Sequence, residues 1–306
     1  MDKTYADTVR LLLTVAPDVF ANDSFALKGG TALNLFLHDM PRLSVDIDVV
    51  YVPWQTPREQ ALADITAELN AIAKRLDRLG LRSRKIAADG MGDTKLLVET
   101  ESEQVKIEVN TVFRGTALPI ERRTLSPQTA DVFSVELELP TLAPVELYGS
   151  KLVAALDRQH PRDLFDVWTM FESGGLSDDM VECFAVYLAG HNRPTHEVLF
   201  GKDKDIATEY RSHFVGMTRD PVELDALLAA RTRLKDELPQ RLSERHRQFL
   251  VGLARAEPDW SLLRCEHAAE LPALRWKLAN LATFRDRRPA DFERQAELLA
   301  QQLGVS

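Results

Sequence analysis

The stretch "LSVDIDVV" (43–50) sets Ser44, Asp46 and Asp48 at alternate positions, and "VKIEVN" (105–110) does the same with Lys106, Glu108 and Asn110. Residues two apart in a strand share a face, so each stretch opposes a polar face to an apolar one. The apolar sets are Val45, Ile47 and Val49 in the first, and Val105, Ile107 and Val109 in the second. Aspartate is a poor strand former, and two carboxylates ~7 Å apart on one face repel unless something neutralises them. Mg²⁺ suits that task, because it is bound by one or two carboxylates together with substrate phosphates. For either stretch alone, a solvated strand face with incidental acids is the plain alternative. Should the two strands be neighbours, Asp46, Asp48 and Glu108 are positioned to hold two divalent ions, as phosphoryl and nucleotidyl transfer require.

Two further clusters bear on that chemistry. Gly29, Gly30 and Thr31 come just before the first acidic stretch. Glycines let backbone approach a phosphate closely, and a helix starting near Thr31 would aim amide hydrogens at an anion. The chain has no G-x₄-G-K-[ST] pattern, so this is not a P-loop. The alternative is a tight turn with Thr31 as a helix N-cap. The second cluster is "KLVAALDRQHPRDLFD" (151–166). Lys151 and Arg158 fall within ~20° of each other on a helix, and Arg162, Asp163 and Asp166 occupy the start of the next one. Acids at a helix start also suit its dipole, and Lys151 and Arg158 alone are compatible with a solvated helix face.

The elements that must carry these residues alternate in the first half of the chain. Periodicity predicts a helix over 3–20, a strand over 24–28, a helix over 31–38 and a strand over 43–52. A helix over 57–79 follows, closed by Gly80. Strand-like segments then come at 81–87, 94–100, 105–113 and 131–140. From Pro144 onward the pattern is helical, with helices at 144–159, from Pro161 to Gly174-Gly175, and at 177–189, 222–238, 240–256 and 290–303. Residues 189–205 read as the most linker-like stretch. This is an α+β chain: a mixed sheet with flanking helices over 1–143, then a helical domain over 144–306.

Composition limits the functions available. The chain has 306 residues, 45% hydrophobic and 28% charged, with a net charge of −9. That charge argues against nucleic-acid binding through global basicity, though not against a local basic groove. Residues 1–175 hold 19 basic and 26 acidic side chains, residues 176–306 hold 19 and 21, so most of the surplus acid lies in the half with the candidate metal wall. No stretch approaches the ~20 apolar residues of a membrane span, and the N-terminal helix lacks the basic start of a signal peptide. The two cysteines, Cys183 and Cys265, are far apart, and the seven histidines form no ligand-spaced pair. These features predict a cytoplasmic protein without structural zinc.

Taken together, "GGTAL…RLSVDIDVV", "KIEVN" and "KLVAALDRQHPRDLFD" resemble the AbiEii/AbiGii-type nucleotidyltransferase toxins of the DNA polymerase β-like superfamily, and are similar to MenT-type toxins. That family's pattern is GG[ST], D-x-D on a strand, and a helix pair with K…R-x₃-R-D-x₂-D; "LPALRWKLANL" (271–281) resembles its distal segment. The motifs cover residues 25–166, whereas 177–270 match only in helical character.

The resemblance implies a polymerase β-like catalytic domain over 1–143 and a helical domain over 144–306 that completes the active site and binds the acceptor. Asp46 and Asp48 would bind Mg²⁺ in a two-ion site, with Glu108 a third carboxylate and Mn²⁺ a substitute. Gly29, Gly30 and Thr31 would cradle an NTP whose charge Lys151 neutralises, and Asp166 with Asp163 would complete the catalytic set. Lys106, Arg158 and Arg162 are additional candidates, and Ser44 a candidate regulatory or auto-modified position.

The implied reaction is transfer of NMP from NTP to an RNA acceptor, chiefly the tRNA 3′ end, which blocks translation in toxin–antitoxin and phage-defence settings. The implied partner is a winged-helix antitoxin. Candidate RNA-contacting clusters are Arg82, Arg84 and Lys85; Arg114, Arg122 and Arg123; and Arg193, Lys202 and Lys204. The alternatives are nucleotidylation of a protein hydroxyl, a catalytically silent nucleotide-binding module, and a metal-dependent nuclease.

Overall fold

The computed structural model describes residues 3–87 and 93–305. The chain divides into two compact units, Met1–Leu147 with Gly216–Pro221, and Tyr148–Val215 with Val222–Ser306. The first unit begins with α1 (Lys3–Val19), β1 (Phe25–Lys28) and a short helix α2 (Gly29–Thr31) that continues as a π-helical segment, Ala32–Leu37. Then follow β2 (Asp46–Tyr51), α3 (Arg58–Arg78), β3 (Arg82–Ala87), β4 (Asp93–Glu99) and β5 (Gln104–Asn110). The unit's last elements are β6 (Glu121–Thr124), α4 (Pro127–Phe133), β7 (Glu138–Thr141) and the start of α5 (Pro144–Arg158).

The seven strands form one mixed sheet in the order β3-β4-β5-β2-β1-β7-β6. β2 lies at its centre, antiparallel to β1 and parallel to β5. Its Ile47, Val49 and Tyr51 alternate with the acids and are nearly fully buried, as are Val105, Ile107 and Val109 of β5. α1 packs against β2, β5 and α3, and α3 against β3 and β4. Burial of these aliphatic side chains, each worth about 1.5–3 kcal/mol, therefore holds β2 and β5 side by side with their polar faces in common.

Two local readings needed correction, and one strand was not predicted. The helix after β1 starts at Gly29, and its N-cap is Lys28 rather than Thr31. Residues 131–140 are not one strand. Pro127 in the first helical turn starts α4 there, Ser134 in the left-handed region ends it, and only Glu138–Thr141 is extended. β6 carries no apolar alternation; "ERRT" is a four-residue edge strand blunted by charge, the device by which exposed sheet edges avoid pairing with other chains. The segment Gly216–Pro221 joins this unit from far along the chain through a bridge between Arg42 and Thr218 and bonds from Leu43 N to Met217 O and Arg219 N to Pro41 O.

The second unit is helical. After α5 come α6 (Pro161–Glu172), α7 (Asp178–Ala189), α8 (Thr195–Leu199), α9 (Ala207–His213), α10 (Leu224–Arg241), α11 (Glu244–Ala254), α12 (Pro272–Arg287) and α13 (Pro289–Leu303). The stretch 189–205 contains α8, whose Thr195, Val198 and Leu199 are buried, so it belongs to the core. A buried Glu182 ties α7 to α11 through His246 at 2.9 Å and accepts from the Arg264 amide at 2.6 Å. Burial works against its charge, but these bonds hold the carboxyl at about 2. Both cysteines are buried and unbridged. Among the described residues, no helix is long and apolar enough to cross a membrane.

One expected surface residue lies inside. Arg114 is 4% exposed, and its Nε and Nη1 have no hydrogen-bond partner among the described residues. Burial, followed by the like charge of Arg58, holds its guanidinium below the ordinary arginine range. A buried charge without a partner costs stability. Arg114→Met is therefore expected to raise unfolding free energy by about 1–2 kcal/mol, read as a higher denaturant midpoint at unchanged slope. A lowered midpoint would mean that this guanidinium is satisfied in solution.

Candidate active site

The first unit assembles its polar residues on the centre of the sheet. β2 and β5 are in parallel register with Asp46 opposite Lys106 and Asp48 opposite Glu108, while Lys28 of β1 pairs with Asp48 from the other side. The predicted neighbouring of the two alternating stretches is thus realised. Strand order does not extend to Ser44. The strand begins at Asp46, and Ser44 lies in the extended segment before it, 8% exposed.

Lys106 governs the charge of this surface. Its Nζ is 2.7 Å from Glu108 Oε2 and 3.8 Å from Asp46 Oδ2, while Lys95 of β4 reaches Glu108 Oε1 at 3.1 Å. Burial opposes a charge on Lys106. The hydrogen bond to Glu108 and the nearby charges of Asp46, Glu108 and Asp48 outweigh it and hold the ammonium above the usual lysine value. Burial likewise opposes ionisation of Glu108, and its bonds from Lys106 and Lys95 more than compensate, holding it below the glutamate range. Lys95 was not singled out in the sequence, although its place in register with Glu108 follows once β4 pairs with β5.

Glycine is required in the turn before this wall. Gly29 has φ +73°, and a Cβ there would sit 2.9 Å from Asp48 Cγ. A Cβ on Gly30 would sit 2.7 Å from Arg42 Nη2 and 3.0 Å from Ser44 Oγ. The Thr31 hydroxyl, fully buried, donates to the Asp46 carbonyl and lies 3.0 Å from Ser44 Oγ. Asn34 closes the turn by donating to Gly30 O at 2.8 Å. The Gly-Gly-Thr segment is thereby fixed against the strand that carries the acids. Arg42, buried behind Gly30, has no motif of its own and was invisible in the sequence.

The second unit carries its own cluster, between α5 and α6. Lys151 Nζ is 2.8 Å from Asp163 Oδ1 and 3.0 Å from Asp166 Oδ2, with all three side chains almost wholly buried. Arg158, one helical face with Lys151 as predicted, meets Asp163 Oδ2 at 2.8 Å from a largely exposed position. Burial opposes the Asp163 charge, but Lys151 and then Arg158 hold its carboxyl below the aspartate range. Burial, then the Asp166 charge, pushes the Tyr148 hydroxyl well above its ordinary value. The two acids are thus more than helix-start decoration. Arg162 makes no ion pair among the described residues; its backbone N–H donates to His160, the N-cap of α6.

Hard oxygen donors at one carboxylate spacing fit Mg²⁺, and the pair Asp46 and Asp48 supplies them beside a turn that leaves no room for a side chain. Glu108 is engaged by two lysines. Among the described residues, no group of three or more His, Cys, Asp or Glu side chains is disposed around a metal position; Asp46 and Asp48 are the pair that could hold an ion. A cleft of about 530 Å³ lies elsewhere in this unit, between Phe36–Asp39 and the β6 edge; its Arg122 and Arg123 are paired with Glu138 and Glu121.

Gly29→Ala forces a methyl into the Asp48 carboxylate and a side chain into the left-handed region. It is expected to cost at least about 1–2 kcal/mol, read as a lower melting temperature; a variant with unaltered melting would show that the turn is not held this way. Asp163→Asn leaves Lys151 with one buried anion, and about 3 kcal/mol is the expected loss near neutral pH. Because the folded carboxyl is depressed, its contribution is present above the ordinary aspartate range and fades as pH falls through that range toward the lowered value. The difference between wild type and variant in pH-dependent unfolding should therefore shrink in acid.

No curated protein matches the chain. Among solved structures it is similar to MenT4, the nucleotidyltransferase toxin Rv2826c from Mycobacterium tuberculosis H37Rv, over 91% of this chain and 94% of that one, at 19% identity and a TM-score of 0.59. That likeness is one of fold. A family model described as the nucleotidyl transferase AbiEii toxin of a type IV toxin–antitoxin system matches residues 10–280. With its D-x-D strand set against a Gly-Gly-Thr turn and nearly its whole length matched, the chain belongs to the AbiEii family of nucleotidyltransferase toxins.

Proposed function

We propose that this toxin is a Mg²⁺-dependent enzyme that transfers NMP from an NTP to a hydroxyl at the 3′ end of tRNA, and so stops translation. The observation that carries the metal dependence is the placement of Asp46 and Asp48 on one face of β2 with the Gly29 backbone pressed against Asp48. Mg²⁺ bound by Asp46 and Asp48 would offset the negative charge of the phosphates and of the oxygens that enter and leave. The Gly29–Gly30 backbone binds phosphate oxygens at a place where side chains are excluded. The acceptor oxygen forms a bond to the α-phosphorus and gives up its proton to solvent as the bond to pyrophosphate breaks, and no covalent enzyme intermediate is involved.

On the family resemblance, Lys151 with Asp163 and Asp166 belongs to the same reaction. Lys151 is buried against both carboxylates, at 2.8 Å from Asp163 and 3.0 Å from Asp166. Asp163 and Arg158 then act as positioning groups for Lys151.

An RNA acceptor is favoured over a protein one by two features. Ser44, the hydroxyl that the sequence offers for self-modification, is buried and hydrogen-bonded to Thr31. The edge strand β3 presents Arg82, Arg84 and Lys85, all exposed, with only Arg84 paired to an acid among the described residues, Glu99. Positive side chains of this kind supply the phosphate contacts on which RNA binding depends. The other expected basic clusters are largely tied up: Arg122 and Arg123 as above, and Arg193 with Asp157 and Glu197. The type IV toxin–antitoxin setting implies an antitoxin partner, for which we propose a winged-helix repressor.

Purified protein incubated with each α-labelled NTP, Mg²⁺ and bulk tRNA is expected to label the RNA with one preferred nucleotide. The Asp46→Asn/Asp48→Asn variant should lose at least about a thousandfold of that rate, a loss on the order of 4 kcal/mol of transition-state stabilisation. Label on protein instead of RNA, or equal labelling by the variant, would sink the proposal.

A further inference from the structure

The sheet holds Asp46, Asp48 and Glu108 on two paired strands, and the first two repel one another along β2. Neighbouring strands lie about 4.8 Å apart, so the acids share one patch with Lys28, Lys95 and Lys106, which stand in register with Asp48, Glu108 and Asp46. The one that lies between two of the acids is Lys106. Its ammonium bridges two of the carboxylates unequally: a tight contact to Glu108 at 2.7 Å and a loose one to Asp46 at 3.8 Å. Glu108 is also secured from its far side by Lys95 at 3.1 Å, and Lys95 is not paired with Asp46.

Resting on the proposed metal role of Asp46 and Asp48, we propose that Lys106 is the built-in counter-cation of this wall, a positioning residue that stands in for a divalent ion beside Asp46 and withdraws toward Glu108 when metal binds. The asymmetry of its contacts sets the direction of that withdrawal. Glu108 is the anchor, already neutralised by two lysines, and Asp46 is the partner that is given up. A lysine suits this exchange better than an arginine, because it is a point charge on a flexible four-carbon stem. Lys106 and Asp46 are each about one-third exposed, so their attraction is solvent-screened and weak, and a divalent ion outcompetes it. The same arrangement gives Glu108 a role other than metal ligand: it holds the displaced ammonium where an incoming phosphate would meet it.

The test is Mn²⁺ binding to the full-length protein, followed by electron paramagnetic resonance of the free ion, with metal-free thermal melting as a second readout. Lys106→Gln and Lys106→Met both delete the competing charge. Each is expected to bind Mn²⁺ about three- to tenfold more tightly than wild type, to melt at a lower temperature without metal, and to gain more from added Mn²⁺. Lys106→Arg keeps the charge and should stay within about twofold of wild type. Unchanged or weakened Mn²⁺ binding in the two neutral variants, with wild-type binding still abolished by Asp46→Asn/Asp48→Asn, overturns the role of Lys106 and leaves the metal reading standing. Wild-type protein without binding that depends on Asp46 and Asp48 overturns both. Metal-free melting also stands alone: if the neutral variants melt at or above the wild-type temperature, Lys106 is not offsetting carboxylate repulsion.

Discussion

Two carboxylates at alternate positions of a central strand are an electrostatic liability that hydrophobic burial must carry. Asp46 and Asp48 sit on β2, the strand on which the sheet is built outward in both directions, and their spacing is dictated by the strand repeat rather than by mutual preference. The opposite face of the same strand supplies the compensation. Ile47, Val49 and Tyr51 are sealed against the helical layer of α1 and α3, so the strand cannot turn its acids away without exposing its core. The pairing of β2 with β5 then fixes which charges meet which: Lys106 beside Asp46, and Glu108 beside Asp48.

The two clusters of acids in this protein are neutralised in opposite ways. On the sheet the ion pairs are partly exposed and unequal in length, so solvent screens them and exchange is easy. Between α5 and α6, Lys151, Asp163 and Asp166 are almost entirely withdrawn from water, where removing Lys151 would leave two buried carboxylates facing each other. One cluster is loosely held and open to solvent, the other is sealed. The sealed one is also where a proline-started helix, an N-cap histidine and a left-handed Gln159 fix the corner between the two helices.

Much of this was legible in the sequence because it rests on short-range periodicity. Period-two alternation located β2 and β5, glycines in succession marked the tight turn before β2, and seven-residue spacing put Lys151 and Arg158 on one face. What could not be read depends on partners distant in sequence. Nothing in "ERRT" signals an edge strand, since such strands are defined by what they pair with. Arg114 looked like solvated charge, and only the packing of the sheet places it inside. Thr31 carries the residue type of an N-cap, but a tertiary partner, the carbonyl of Asp46, recruits its hydroxyl instead.

That last substitution couples the two halves of the proposed chemistry. A helix-capping threonine would leave the Gly-Gly turn as a local device, free to shift independently of the strand. With the Thr31 hydroxyl bound to the Asp46 carbonyl and set against Ser44, and with Gly29 seated on Asp48, the turn and the acidic strand move as one body. Each contact requires the residue type found: a longer side chain at 29 or 30 would strike Asp48 or Arg42, and loss of the Thr31 hydroxyl would leave a gap behind the first aspartate. Preorganisation of this kind removes conformational freedom before the substrate arrives, so that ordering a phosphate and its cation need not also order the protein. The buried position of Ser44 follows from the same contact. Its hydroxyl is part of the joint between turn and strand, and a group that is holding the site together is poorly placed to be its acceptor.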